Sequence, residues 1–222
     1  MPFTQASLDF LMENRLNDSR EWFKAHRADF DSLVLDPMAE LFSALVPDML
    51  EIDPEFMCIP KMGKSLSRLW RDTRFTQDTG VFRENMWFMF QREKYHGWPG
   101  YWFEISPMGC NWGLGWYYTP PETMKNIRQR VIEDDKLWKK ADRAYRSQSA
   151  FTMQGERYKR SPYAGYPEKK RLWLDQKHIA LTSPAEFDIM FSDSLEERLR
   201  EDFKATADIY RFLALNSVRV EW

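Results

Sequence analysis

The residues best suited to ligand chemistry form an arginine-rich run in the first half of the chain. The run consists of Arg68, Arg71, Asp72, Arg74, Asp78, Arg83 and Asn85. A guanidinium group is planar and binds carboxylate or phosphate through two parallel hydrogen bonds, and aromatic rings stack on it. Because Trp70, Phe75 and Phe82 are interleaved with these residues, the run predicts a site for a small ligand that carries phosphate or carboxylate. In that site the arginines bind the anion and the aspartates orient the arginines.

The same residues also fit an internal network of salt bridges. Asp72 and Asp78 would then neutralise the neighbouring arginines without any ligand. If residues 65–71 form a strand, Arg68 and Arg71 leave it on opposite faces, which does not favour a shared site. The two interpretations stay open, because a network beside a cleft can serve both purposes.

Three further residues are candidates for the site. Lys159 and Arg160 lie between Gly155 and Pro162, in a segment whose glycine, cations and proline are typical of an exposed loop. Lys159 and Arg160 either form a cationic rim of the site or are solvent-exposed charged residues without a role in it. Glu104 lies on one face of a predicted strand, and it is the candidate for acid–base catalysis if the protein is an enzyme.

Motifs for metal, cofactor and serine-nucleophile chemistry do not occur in the sequence. The chain has no HExxH, CxxC, GxSxG or glycine-rich dinucleotide motif, and its three histidines lack ligand-like spacing. The segment Gly63-Lys64-Ser65 is similar to the end of a phosphate-binding P-loop, but Cys58 stands where that loop needs a glycine. We therefore expect no metal, no cofactor and no nucleotide P-loop.

Helices are predicted at the start of the chain. Apolar residues recur at steps of three and four between Trp22 and Leu45, which is the period of one long amphipathic helix. Asp18 and Glu21 have the spacing of a capping box at its start. Pro37 removes an intrahelical hydrogen bond, so we expect it to kink or split that helix.

The middle of the chain changes to the period of strands. Apolar and aromatic side chains alternate with others in three segments bounded by glycine and proline: Met86–Gln91, Tyr101–Ser106 and Trp112–Tyr118. A fourth strand is predicted at residues 151–154. The short connections favour antiparallel pairing, because a parallel crossover needs a dozen residues or more.

After Tyr118 the helical period returns. Helices are predicted from Thr119 and Ser183, and one long helix from Leu195 to Leu213. The predicted fold class is α+β: a mainly antiparallel sheet built from the middle of the chain, with N-terminal, middle and C-terminal helices packed mainly on one face. We expect a single domain over residues 1–222, which is helical at 1–50, sheet-rich at 56–118 and mixed helical at 119–222.

Composition excludes several classes of protein. Of 222 residues, 43% are hydrophobic and 16% aromatic, which excludes a disordered chain. No apolar run approaches the ~20 residues of a membrane span. The net charge of −2 favours no partner class, although residues 121–180 carry 15 basic and 8 acidic side chains. Two cysteines in no recognisable spacing and an N-terminus without a leader pattern predict a cytoplasmic protein.

Three functions are consistent with these patterns. The first is binding of a small anionic ligand through the arginines. The second is a non-catalytic interaction module that docks a protein partner on an exposed aromatic surface, because the strands carry more aromatic faces than one buried side needs. The third is nucleic-acid binding, which interleaved arginines and aromatics favour, but which the net charge and the lack of recognition motifs disfavour.

Most of the chain resembles one family. The residues that carry the resemblance are Phe10-Leu11, Arg20-Glu21-Trp22-Phe23, His26, Pro37-Met38, Arg68, Arg71-Asp72-Thr73-Arg74-Phe75, Asp78, Asn85, Glu104-Ile105-Ser106, Ile127-Arg128, Gly155-Glu156, Lys159-Arg160 and Pro162. In combination they are similar to the domain of unknown function 2461 family, conserved hypothetical proteins of bacteria and fungi. The resemblance implies a fold and a set of characteristic residues, and it implies no activity.

The chain departs from the family's pattern within the arginine-rich run. The chain has Gln77 and Thr79 at two positions where the pattern it resembles has lysine. It also has Val81-Phe82-Arg83 where that pattern has Pro-Tyr-Lys. The absence of these two lysines weakens the prediction that the run binds phosphate, whereas Arg83 keeps a positive charge at one of the departing positions.

Overall fold

The computed structural model describes residues 3–72, 80–93 and 96–220 of the chain. Its α-helices are α1 (Gln5–Asn17), α2 (Arg20–Ala25), α3 (Arg27–Phe30), α4 (Asp36–Ile52), α5 (Pro121–Ile132), α6 (Lys136–Ser147), α7 (Glu168–Leu174), α8 (Leu195–Ala205) and α9 (Ala207–Asn216). Its strands are β1 (Met86–Gln91), β2 (Gly100–Ser106), β3 (Gly109–Gly115), β4 (Thr152–Met153) and β5 (Ala180–Thr182). The predicted α+β class is confirmed.

The strands form an antiparallel sheet in the order β1-β2-β3-β5-β4. The first three strands follow one another as a meander, and β5 and β4 extend the sheet beyond β3. In this register Trp87 lies opposite Glu104, which lies opposite Asn111, and Met89 lies opposite Trp102. Because side chains alternate along each strand, these five residues share one face of the sheet.

The core lies on the other face, beneath the helices. Phe42 of α4 stacks on Phe90 of β1 with the ring centroids 4.3 Å apart. Tyr101 of β2 packs against Phe203 of α8 and Tyr210 of α9, at centroid distances of 4.9 and 5.4 Å. Each such buried ring contributes roughly 1.5–3 kcal/mol of hydrophobic free energy. The remaining side chains of β1 are half-buried on the face away from the helices.

Buried apolar residues from Phe3 to Ala214 belong to one hydrophobic cluster. The organisation of the chain as a single domain stays a prediction. In the part of the chain that the structure describes, no helix has both the length and the apolar character needed to cross a membrane.

The N-terminal helical region is divided at the predicted place, next to Pro37. A π-helical turn, Asp31–Leu35, separates α3 from α4, and Pro37 lies in the first turn of α4. There the missing amide hydrogen costs little, since the first turn of a helix has unpaired amides in any case.

The capping box predicted at Asp18 is wrong. Ser19 caps α2, because its Oγ accepts a hydrogen bond from the amide three residues later at 3.2 Å. Asp18 adopts a left-handed conformation with φ of 46°. Its carboxylate accepts hydrogen bonds from the amides of Val81 and Phe82 at 2.8 and 2.9 Å. Asp18 therefore ties the end of α1 to the segment that carries Arg83.

Two helix predictions in the last third of the chain are also wrong. No helix begins at Ser183, because Glu186 pairs with Cys110 through backbone hydrogen bonds of 2.7 and 2.8 Å. A short 3-10 helix follows instead, at Asp188–Phe191. The long C-terminal helix is interrupted at Thr206, whose hydroxyl donates to the carbonyl three residues earlier at 3.0 Å. Such a bond competes with the helical backbone pattern.

Candidate functional site

A groove crosses the open face of the sheet along β1. Its volume is about 1030 Å³, at the upper end of the range for small-molecule sites. Trp87, Met89 and Gln91 form its floor. Residues between 63 and 72 form one side of the groove, and Arg83 lies at its Trp87 end. The loops around Trp98 and residues 115–118 lie at the other end, near Gln91.

Backbone pairing holds the side formed by residues between 63 and 72 against the sheet. The amide of Ser67 donates to the carbonyl of Trp87 at 2.8 Å, and the amide of Met89 donates to the carbonyl of Ser65 at 2.8 Å. Leu66, between them, is fully buried. This short segment therefore extends the edge of the sheet, and the residues on either side of it reach the groove.

Arg68 folds back over the turn at Gly63. Gly63 has a φ of 81°, and a Cβ at this position would lie 3.0 Å from Nε of Arg68. The guanidinium thus occupies the space that a side chain at position 63 would need. Gly63 and Lys64 line the groove, although residues 64–72 contain no helix and so do not form a P-loop.

A second backbone pairing places Arg71 beside Arg83. The amide of Arg71 donates to the carbonyl of Val81 at 2.9 Å, and the amide of Arg83 donates to the carbonyl of Leu69 at 2.8 Å. Both arginines line the groove at the end of the floor nearest Trp87.

Arg68 and Arg71 reach the same groove, contrary to the alternation expected of one strand. Residues 65–67 pair with β1, whereas residues 69–71 pair with residues 81–83. The chain changes its pairing partner at Arg68, which breaks the period-two rule.

Arg83 concentrates positive charge at this end of the groove. Its guanidinium carbon lies 5.0 Å from the ring centroid of Trp87, and its Nε donates to the carbonyl of Trp70 at 3.3 Å. Burial and the positive charge of Arg71 lower the pKa of Arg83, and two nearby carboxylates oppose that change. An arginine remains protonated despite such a shift, so a bound anion would relieve the repulsion between the two cations.

Glu104 lies beside Arg83 and is not among the residues that line the groove. It is half-buried on β2, and the side-chain amides of Asn85 and Asn111 lie close enough to its carboxylate to lower its pKa. Burial raises the pKa of Glu104 and outweighs the two side-chain amides and the charge of Arg83, which lower it. The structure therefore brings Asn85 and Glu104 together beside Arg83.

The opposite end of the groove is aromatic. Trp98, Trp116 and the two tyrosines that follow Trp116 line it. The indole nitrogen of Trp116 donates to the carbonyl of Gly97 at 2.9 Å, which fixes the orientation of the ring. Gln91 lies on the floor at this end, and its side-chain amide forms no hydrogen bond with any residue that the structure describes.

Trp98 packs against Arg92, which is hydrogen-bonded to the buried carboxylate of Asp53. The guanidinium carbon of Arg92 lies 4.7 Å from the ring centroid of Trp98. Nε of Arg92 donates to the carboxylate of Asp53 at 2.7 Å, and the hydroxyl of Tyr210 donates to the same carboxylate at 2.5 Å. Burial alone would raise the pKa of Asp53, but these hydrogen bonds outweigh it and the pKa is lowered.

The structure places the predicted site residues in three groups. The first group lines the groove: Arg68, Arg71, Asp72 and Arg83. The second group is the pair of Asn85 and Glu104 beside it. The third group, Lys159 and Arg160, is exposed and does not line the groove. The predicted residues Arg74 and Asp78 lie outside the described part of the chain.

Lys159 and Arg160 belong to a loop that is hydrogen-bonded to the end of α7. The amide of Tyr158 donates to the carbonyl of Asp175 at 3.0 Å, directly after α7. The structure therefore does not bring these two cations to the arginines, although the loop is exposed as expected. The glycine-to-proline pattern predicts exposure but holds no information on which element the loop contacts.

Several groove residues escaped the sequence-based prediction. Trp87 and Gln91 share the half-buried face of β1, and the alternation of that strand was a sufficient signal to find them. Lys64 was visible only as part of a rejected P-loop. Trp98 and its support by Asp53 depend on contacts between distant parts of the chain, which no local pattern shows.

The family model described as "Conserved hypothetical protein (DUF2461)" matches residues 6–212. The chain belongs to the DUF2461 family. The match covers every described residue of the groove in this DUF2461 protein, so the site lies within the family's own fold. No curated protein and no solved structure matches the chain.

The groove of this DUF2461 protein combines two kinds of binding group. Charged donors at one end bind anions through charge-assisted hydrogen bonds, and flat rings at the other end pack against apolar or planar groups. Within residues 3–72, 80–93 and 96–220 there is no group of three His, Cys, Asp or Glu side chains that could hold a metal ion.

Proposed function

We propose that the groove binds a small molecule that carries a phosphate or carboxylate group, through Arg68, Arg71 and Arg83. The observation that carries this proposal is the convergence of these three side chains, with Lys64, on one groove of about 1030 Å³. Local alternation along the chain does not produce this convergence. It requires two separate backbone pairings.

The ion pairs of the described residues support a site over an internal network. Arg68 and Arg83 form no salt bridge with any carboxylate in the described part of the chain. Several arginines outside the groove are paired closely with acids, as Arg200 is with Asp48 at 2.7 Å. Arginines that line a concave site without such a partner are available to a ligand.

The proposal concerns binding, and it gives Glu104 an indirect, electrostatic role. Glu104 lies beside Arg83 and outside the groove lining, so its carboxylate acts on a ligand through that guanidinium.

Titration with pyrophosphate and citrate, by calorimetry and by thermal shift, tests the proposal. We expect binding in the wild-type protein, and a loss of about ten- to a hundredfold in affinity in Arg71→Ala and in Arg83→Ala, because each removes charge-assisted hydrogen bonds. Arg143→Ala, an exposed arginine on α6, is the matched control and keeps full affinity. Full affinity in folded Arg71→Ala and Arg83→Ala proteins would overturn the proposal.

One observation favours the alternative of a protein-interaction module. Tyr117 and Tyr118 are 103% and 57% exposed at the rim of the groove, and neither ring stacks on another described residue. If this surface docks a protein partner, Tyr117→Ser with Tyr118→Ser abolishes capture of that partner and leaves pyrophosphate affinity unchanged. A cross-linked partner that is retained by the double variant argues against this alternative.

We also propose that the protein is cytoplasmic. Cys58 and Cys110 are both free thiols, and burial raises the pKa of each, which keeps them unreactive. Free thiols without a disulfide are typical of a reducing compartment. Fractionation of cells that express the tagged full chain tests this location.

A further inference from the structure

We propose that the anionic ligand is a nucleotide, whose phosphate binds at Arg71 and Arg83 and whose base stacks against Trp98 above Gln91. This inference rests on the proposed function and adds the uncharged part of the ligand. It is carried by the division of the groove into a cationic end and an aromatic end.

The floor strand sets the distance between the two ends. Trp87, next to Arg83, and Gln91, at the aromatic end, are four positions apart on the same face of β1. At a rise of about 3.3 Å per residue they are about 13 Å apart along the strand. An inorganic anion or a small carboxylate occupies only the cationic end, whereas a phosphate joined to a base through a sugar reaches both ends.

The rings at the aromatic end are held in place before a ligand arrives. Trp98 lies against the guanidinium of Arg92, and the indole of Trp116 is hydrogen-bonded to the backbone at Gly97. Rings that are already ordered lose little freedom when a planar group stacks on them. Bases of any kind stack on such surfaces, because every base has a π-face.

Gln91 supplies a hydrogen-bonding group where the edge of the base would lie. Its amide can donate and accept at once, a pattern that matches the edge of adenine. It forms no hydrogen bond with any residue of the described part of the chain. A phosphorylated sugar without a base would leave this amide and the neighbouring rings without a ligand partner.

A free nucleotide fits the chain better than a strand of nucleic acid does. The net charge is −2, and proteins that bind single strands rely on positive charge that follows the backbone of the strand. The groove has a defined cationic end at Arg71 and Arg83, which suits one terminal phosphate group.

The test compares adenosine monophosphate with ribose 5-phosphate by calorimetry. We expect adenosine monophosphate to bind at least about fivefold more tightly, which is the low end of what base stacking supplies. Trp98→Leu removes this difference and leaves the affinity for ribose 5-phosphate unchanged. Trp102→Leu is the control, because Trp102 is half-buried on the same sheet face but does not line the groove.

A second variant covers the case in which Trp98→Leu fails to fold. Tyr117 is fully exposed, so Tyr117→Ala does not disturb the core, and it should weaken adenosine monophosphate severalfold without affecting ribose 5-phosphate. Gln91→Leu removes the side chain that would hydrogen-bond to the edge of the base. The affinities of the four nucleoside monophosphates should therefore become more similar to one another.

The possible failures are distinguishable. Equal affinity for adenosine monophosphate and ribose 5-phosphate in the wild-type protein overturns the inference that the ligand is a nucleotide. The proposed anion site is unaffected by that result. Tighter binding of a ten-nucleotide single strand than of the monophosphate also overturns the inference. If pyrophosphate, ribose 5-phosphate and adenosine monophosphate all fail to bind, the proposed function itself fails.

Discussion

Arg83 lies over the indole ring of Trp87, with its guanidinium carbon 5.0 Å from the ring centroid. The two residues come from separate pairings, Arg83 from the segment beside residues 69–71 and Trp87 from β1. The ring and the carbonyl of Trp70 hold the guanidinium in one orientation. A cation that is ordered in this way loses little conformational freedom on binding an anion, which increases affinity.

Arg83→Lys should weaken anion binding although it keeps the positive charge. The lysine ammonium lacks the planar fork that binds two oxygens at once, so we expect about a tenfold lower affinity for pyrophosphate. Calorimetric titration measures this change. Arg143→Lys on α6 serves as the control and should bind like the wild type. Equal affinity in Arg83→Lys would show that only the charge of Arg83 matters.

Gly63→Ala should lower both stability and anion affinity. The φ of 81° disfavours any side chain, and the new Cβ would lie 3.0 Å from Nε of Arg68 and displace that arginine. We expect a loss of about 1–2 kcal/mol in the free energy of unfolding, measured by urea denaturation. The affinity for pyrophosphate should fall severalfold.

Gly165→Ala is the matched control for that substitution. A Cβ at Gly165 meets no atom within 4 Å, so we expect a change in stability within about 0.5 kcal/mol and unchanged binding. Unchanged pyrophosphate affinity in Gly63→Ala would mean that Arg68 does not contribute to the site.

The double substitution of Lys159→Ala and Arg160→Ala should leave pyrophosphate affinity unchanged. Both residues lie in the loop that is fastened next to Asp175, and neither lines the groove. Titration of the double variant beside Arg71→Ala measures the difference. A loss as large as that of Arg71→Ala would contradict this expectation and support a role for both cations at the rim of the site.

Local patterns predicted those parts of the molecule that depend on local periodicity. The alternation of Met86–Gln91 predicted β1 and both of its faces, because side chains on a strand alternate with a period of two. The pairing change at Arg68 could not be predicted in this way, since it depends on two different partner segments. The same holds for Asp18, whose carboxylate binds the amide of Val81 across 63 residues of sequence.

Asp53→Asn should destabilise the fold and loosen the aromatic end of the groove. Asp53 is 4% exposed and accepts hydrogen bonds from Arg92 and Tyr210. Removal of its charge leaves the guanidinium of Arg92 without its buried partner, so we expect a loss of about 3 kcal/mol in the free energy of unfolding at pH 7. Asp29→Asn, at an exposed position on α3, should have little effect.

The effect of Asp53→Asn should depend on pH in a defined direction. The pKa of Asp53 is lower in the folded protein than in the unfolded chain, so its contribution to stability is present above the unfolded value of about 3.9. That contribution is lost as the pH falls through the folded pKa. The difference in stability between wild type and variant should therefore begin to shrink below about pH 4 and disappear as the pH falls through the folded pKa. A constant difference down to pH 2 would contradict this account.

Glu104→Gln should show the opposite pH dependence. Burial raises the pKa of Glu104 in the folded protein, so the wild type is relatively most stable below the unfolded pKa of about 4.3 and loses stability as the pH rises through the folded value. Glutamine does not titrate, so the variant should gain stability relative to the wild type across that interval. Urea denaturation at a series of pH values measures the difference.

Glu13→Gln is the control, because Glu13 is exposed on α1 and its side chain forms no hydrogen bond in the described residues. Glu104→Gln also removes a negative charge beside Arg83, so the pyrophosphate affinity of the variant should be equal to or higher than that of the wild type at neutral pH. A severalfold loss of affinity would instead mean that the carboxylate of Glu104 is needed to orient Arg83 toward the anion. Unchanged or higher affinity supports an electrostatic effect, which depends on charge alone, and a loss of affinity would contradict it in favour of a positioning role, which depends on geometry.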